Sequence, residues 1–178
     1  MNLFVALLRG INVSGHNIIK MIDLKQSLSS LGYQNIQTYI QSGNVIFESR
    51  SKDTSKFGEE IKKQIQKDFG HTVFVMVFSK EYFLEVFHNN PLIKNNDLDT
   101  KKLNVTFLNT SPDKKLLEDL TQTFPEKIIL NDKILYIYYP NGGGRSKLNS
   151  SFIERKLKVV STSRNWNTVT KLNQILEE

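Results

Sequence analysis

The chain has 178 residues, 39% apolar and 24% charged, which is the balance of an ordinary globular protein with room for one generous core or two small ones. It has no cysteine, which excludes disulfides, thiolate metal sites, iron–sulfur clusters and a cysteine nucleophile. The net charge of +6 invites an anionic partner, while no apolar run approaches the roughly 18 residues needed to span a bilayer, so a membrane is not an expected partner.

The opening LFVALL is broken by Arg9 and no small-residue cleavage site follows, so residues 3–8 read as a buried strand and not as a signal peptide. A cytoplasmic location is the resulting expectation. Residues 20–31 place Met21, Leu24, Leu28 and Leu31 on one helical face, with Gly32 as the stop. Residues 36–40 and 44–48 read as strands joined by the hairpin signal Gln41-Ser-Gly. A second helix, capped near Asp53 or Thr54, carries the stripe Phe57, Ile61, Ile65 and Phe69 and ends at Gly70; residues 72–78 form the next strand.

A short helix over 80–87 and a polar loop over 88–100 read as a linker. The pattern then repeats. Residues 103–108 read as a strand, and Ser111 with Pro112 opens a helix carrying Leu116, Leu117 and Leu120. Residues 127–130 and 134–139 form a hairpin across Asn131-Asp132. A helix over 147–156 follows, then a brief strand over 159–161, and a last helix capped by Thr162 or Ser163. The predicted fold class is α+β: a tandem duplication of a ferredoxin-like βαββαβ unit, with helices on one face of each antiparallel sheet and an extra C-terminal helix. The expected division is 1–79 for the first half, 80–101 for the short helix and linker, and 102–178 for the second half.

This topology concentrates polar residues at one end of each half. Strands 1 and 2 of such a unit run the same way, so Arg9-Gly-Ile-Asn12 is expected beside Gln41-Ser42-Gly-Asn44. Strands 3 and 4 also run together, which brings Asn141-Gly-Gly-Gly-Arg145-Ser146-Lys147 beside Thr162-Ser-Arg164-Asn165-Trp166-Asn167. Glycines 142–144 let backbone approach a ligand, and Arg145, Ser146 and Lys147 at a helix start suit an anion. Arg164, read as opening the last helix, could complete a clamp on phosphate or carboxylate. The region from residue 141 onward carries seven Lys/Arg against three Glu, in keeping with that reading. The plainer alternatives are a flexible glycine loop with Ser146 as a cap, turn residues at Asn12, Ser42 and Asn44, and Trp166 as a core anchor.

Hydrolytic and metal chemistry find little support. His16, His71 and His88 are isolated, Asp97 and Asp99 lie in the linker, and neither a GxSxG elbow nor an HExxH or P-loop pattern occurs. No cofactor and no metal is therefore expected. The leading functional expectation is a binder of a small phosphorylated or nucleotide-like anion. One alternative is an RNA- or DNA-binding module, since βαββαβ is the topology of the RNA-recognition fold and Phe4 lies in the first strand. Another is an enzyme acting on a phosphorylated substrate at the same residues.

ALLRGINVSGHN, MIDLKQSLSSLGY, TYIQSGNVIFES, GGGRSKL and TSRNWNTVTKL together resemble the bacterial domain of unknown function 1697 family across essentially the whole chain. The resemblance implies a cytoplasmic housekeeping protein and supplies no reaction. The family's motif residues correspond here to Arg9, Gly10, Asn12, Ser42, Gly43, Asn44, Ser146, Lys147, Arg164, Asn165, Trp166 and Asn167.

Overall fold

The computed structural model describes residues 1–93 and 98–178. Asp97 and part of the expected linker loop lie outside the described residues. In chain order the elements are β1 (Asn2–Leu8), α1 (Met21–Ser29), β2 (Gln34–Tyr39), β3 (Asn44–Ser49), α2 (Thr54–Phe69), β4 (Val75–Ser79), α3 (Lys80–His88), β5 (Leu103–Leu108), α4 (Lys114–Thr123), β6 (Lys127–Asn131), β7 (Ile134–Tyr138), α5 (Ser150–Leu157), β8 (Ser161–Asn165) and α6 (Trp166–Glu177). The chain divides into two compact units, residues 1–85 with 176–178, and residues 86–175.

The first unit holds a four-stranded antiparallel sheet in the order β2-β3-β1-β4. The alternation of β1 sends Phe4, Ala6 and Leu8 towards the two helices, where they meet Leu24 and Leu28 of α1 and Phe57, Ile61 and Ile65 of α2. Val5 and Leu7 point to the other face and are also fully buried, which is why β1 reads as a continuous apolar run. Phe4, Phe47, Phe57 and Tyr33 form the aromatic centre, with Phe4 edge-on to Phe57 at 4.9 Å and Tyr33 stacked on Phe47 at 4.3 Å. Helix α2 begins where Asp53 accepts from the Lys56 amide and ends at Gly70, whose φ of 71° provides the left-handed exit.

The second unit repeats the order as β6-β7-β5-β8. Leu108, Leu135, Ile137 and Tyr139 face the helix side, against Leu120 of α4 and Leu148, Ile153 and Leu157 around α5. On the opposite face Tyr136 is buried and donates to the Val86 carbonyl at 2.8 Å, while Trp166 stacks on Phe87 with centroids 5.0 Å apart. Both units are ferredoxin-like, so the tandem duplication is the architecture of this chain.

Three local boundaries differ from the sequence expectation. Helix α4 is capped by Asp113, which accepts from the Leu116 amide, and not by Ser111. Helix α5 starts at Ser150 under the Asn149 cap: the chain makes a single 3-10 turn at Gly143–Arg145 first, and residues 146–149 run into the cap without helix. The last helix starts at Trp166, because residues 161–165 pair with β5 in the register Leu108↔Ser161 to Asn104↔Asn165. Serine and threonine suit a helix cap and a strand alike, and here the sheet ladder prevails.

Candidate functional site

The first polar cluster gathers as the topology requires. The Leu8 amide donates to the Gly43 carbonyl at 2.8 Å, bringing the end of β1 against the β2–β3 hairpin. Asn12 then joins two loops: its Nδ2 donates to the carbonyls of Ile19 and Gln41, each at 2.9 Å, and its Oδ1 accepts from the Ile19 amide at 2.8 Å. Asn44 is fully buried, with Nδ2 donating to the Tyr39 carbonyl and to Ser42 Oγ, each at 3.0 Å. Gly43 has φ of 77°, and a Cβ there would lie 2.8 Å from both Leu8 Cβ and Ile11 Cδ1, so only glycine fits. Arg9 is partly buried and its amide donates to the Phe74 carbonyl. Asn12, Ser42 and Asn44 thus hydrogen-bond within the protein, as turn residues do.

The same edge carries unusual backbone. Val13 to His16 makes a two-residue turn with positive φ at Ser14 and Gly15, closed by the His16 amide on the Val13 carbonyl at 2.9 Å. Ile40, in the neighbouring hairpin, also has positive φ, at 49°. That conformation costs a β-branched residue about 1–2 kcal/mol, and the side chain is nevertheless 47% exposed.

The second cluster is rearranged relative to expectation. Arg164 does not open a helix. It lies inside β8 in register with Val105, which is itself paired with Tyr136, so these three side chains share the face away from the helix-side core. The guanidinium is buried, which lowers its pKa to about 10, and it donates to Thr162 Oγ1 at 2.8 Å and to the Ser163 carbonyl at 2.9 Å. Its expected place at a helix start is thus corrected to a position inside the sheet. Asn165 supplies the local start of α6: its Oδ1 accepts from the Asn167 amide at 2.9 Å, and its Nδ2 donates to the Lys101 carbonyl at the same distance. Asn167 enters as the capped amide of the first helical turn.

Arg145, Ser146 and Lys147 do stay together, on the loop after β7. Arg145, Lys147 and Gly144 are exposed. Ser146 donates to Glu126 Oε1 at 2.5 Å and accepts from the Leu148 amide at 3.0 Å, while Glu126 Oε2 is buried with no hydrogen-bond donor among the described residues. Burial and then the Glu126 carboxylate push the Tyr139 hydroxyl well above the usual phenol range; it donates to the Leu148 carbonyl. Three further lysines border this loop. Lys102 Nζ donates to the Pro140 carbonyl at 2.9 Å, the Lys102 carbonyl accepts from the Tyr139 amide, and Lys127 pairs with Tyr138 at the strand end; Lys101 is next in sequence and exposed. Asn104 Nδ2 lies 3.7 Å from where a Cβ on Gly143 would sit. Lys101, Lys102, Asn104, Glu126 and Lys127 were not expected at this edge, because only the pairing register brings them to the glycine loop.

Among the described residues no group of His, Asp and Glu has the arrangement of a metal site. No helix among them is long and apolar enough to cross a membrane.

A tandem ferredoxin-like α+β protein, with its motif residues concentrated at sheet ends, is the class that fold and geometry define. The chain belongs to the family described as "Protein of unknown function (DUF1697)", whose model matches residues 1–136. Among solved structures it is similar to that of the conserved bacterial protein SP0830 from Streptococcus pneumoniae, with a TM-score of 0.75, 23% identity and 98% of each chain covered; this likeness bears on the fold alone. No curated protein matches the sequence.

Proposed function

We propose that the chain binds a small anionic ligand, phosphorylated or nucleotide-like, at the edge of the second unit where β7 runs into the glycine loop. The observation that carries this reading is the gathering of Lys101, Lys102, Lys127, Arg145 and Lys147 around residues 142–147, offset by Glu126. Such a concentration of one sign raises the local concentration of anions, and an exposed arginine offers a bidentate fork to phosphate or carboxylate. Gly144 is exposed, and a Cβ there would meet nothing within 4 Å, so a ligand can approach the backbone. In this reading Arg9, Asn12, Ser42 and Asn44 shape the first unit, and Arg164, Asn165 and Asn167 shape the second sheet and helix α6.

A thermal-shift panel of inorganic phosphate, pyrophosphate, nucleotides and phosphosugars tests the proposal. Stabilisation of the wild type that is lost in the double variant Arg145→Ala/Lys147→Ala supports it. Lack of any shift, or an equal shift in the variant, overturns it. The enzyme reading uses the same residues and differs in turnover, which product analysis on the stabilising ligand would detect.

The nucleic-acid reading loses its sheet-surface argument. Phe4 packs in the core against Phe47 and Phe57, and Val5 and Leu7 on the other face are buried, so β1 offers no exposed stacking platform.

A further inference from the structure

The first unit carries a separate feature at its loop edge. Among the described residues the exposed large apolar side chains are Met1, Val13, Ile18, Ile22, Ile40 and Ile93. Four of these six, Val13, Ile18, Ile22 and Ile40, come to one edge. Val13 follows Asn12 directly, Ile18 precedes the Ile19 that Asn12 binds, Ile40 precedes the Gln41 that Asn12 also binds, and Ile22 lies in the first turn of α1. Ile40 is unfavourable twice over, being exposed and left-handed at a position that asparagine or glycine would occupy with less strain. A position that sacrifices stability for an exposed aliphatic group is a candidate for contact with something outside the fold.

The charges around these tips indicate what that is. His16, Lys20 and Lys25 are exposed on the same segment. Its one carboxylate, Asp23, lines the groove towards α2 with Ser27, Gln64, Lys67 and Asp68. From residue 26 to residue 47 the chain has no charged residue. Aliphatic loop tips rimmed by lysine, with the half-buried Tyr39 as the one aromatic beside Ile40, match a lipid interface better than a protein partner. Lysine is depleted at protein interfaces and aromatic residues are enriched there, whereas lysine stems beside apolar tips suit anionic headgroups. The geometry points to peripheral docking of this edge on an anionic bilayer surface, with Val13, Ile18, Ile22 and Ile40 entering the headgroup boundary and Lys20 and Lys25 on the phosphates. That no helix among the described residues is long and apolar enough to cross a membrane bears on spanning alone and leaves surface contact open.

Flotation of the full chain with phosphatidylcholine vesicles, with and without phosphatidylglycerol, tests this. The wild type floats with the anionic vesicles alone and releases as salt rises. Ile40→Asn binds about tenfold more weakly while its melting temperature rises, a combination that a merely structural isoleucine does not give. Lys20→Glu/Lys25→Glu keeps its melting temperature and loses flotation. Absence of flotation by the wild type, or full flotation of Ile40→Asn, overturns the proposal. A wild-type dimer in solution that Ile40→Asn dissociates assigns the edge to a second copy of the chain and overturns the lipid assignment.

Discussion

Asn12 Nδ2 donates to the carbonyl of Gln41 at 2.9 Å, across 29 positions of sequence, and this bond fastens the β1–α1 loop to the β2–β3 hairpin. The same side chain holds Ile19 through its carbonyl and its amide, and Asn12 itself has φ of 54°. One residue thus meets two demands, three hydrogen bonds and a left-handed backbone, that few other side chains satisfy together.

Asn12→Ala is therefore expected to destabilise the protein by about 2–3 kcal/mol, through lost hydrogen bonds and a strained φ. Urea unfolding measures it. Asn12→Asp keeps the acceptor for the Ile19 amide but sets a carboxylate oxygen against the Ile19 and Gln41 carbonyls, so it is expected to destabilise at least as much as Asn12→Ala.

Gly43 and Gly144 differ in the space around them. Gly43→Ala forces a Cβ to 2.8 Å from Leu8 and Ile11 at positive φ, and a loss of about 2–4 kcal/mol is expected. Gly144→Ala meets nothing and is expected to shift stability by less than about 0.5 kcal/mol. If the loop binds anions through its backbone, Gly144→Ala weakens ligand-induced stabilisation with little change in the ligand-free melting temperature.

Lys158 ends α5 in the left-handed conformation, with φ of 56°. Lys158→Gly relieves that strain and is expected to stabilise by about 0.5–1 kcal/mol, read by thermal or urea unfolding.

Acid and alkaline limbs have separate sources in the first unit. Ser27 Oγ at 2.6 Å and Gln64 Nε2 at 2.7 Å donate to Asp68 and hold its carboxyl below the ordinary range. The folded value is depressed, so this contribution is present above the ordinary carboxylate range and lost as pH falls through the depressed value; Asp68→Asn flattens that limb. Burial, then the hydrogen bond to Glu60 at 2.9 Å, raises the Tyr33 hydroxyl. Its folded value is raised, so its contribution is present below pH about 10 and lost above it, and Tyr33→Phe reduces that alkaline loss. Urea midpoints across pH read both.

Much of the architecture was legible in the sequence. The stripe Phe57, Ile61, Ile65 between Asp53 and Gly70 appears as helix α2 with those caps, because period, cap and stop all agree there. The shared direction of strands 1 and 2 in a βαββαβ unit is enough to put the Gln41–Asn44 hairpin beside Asn12. Residues 161–165 were harder, since Thr162 and Ser163 suit a cap or a strand and the β5 register decides between them. Arg164 moved from an expected ligand clamp to a buried strand position for the same reason. Glu126 was invisible as a neighbour of Ser146 because 20 positions separate them and only the fold joins them. Lys101, Lys102 and Lys127 likewise became a patch only once the strands were paired.

Anion binding at the basic edge of the second unit is decided by the melting temperature of the wild type and of Arg145→Ala/Lys147→Ala, with and without pyrophosphate. Pyrophosphate is expected to raise the wild-type value, while the double variant melts like the unliganded wild type and does not respond. A wild type indifferent to pyrophosphate and to the other phosphate-bearing ligands, or a variant that responds equally, would contradict it.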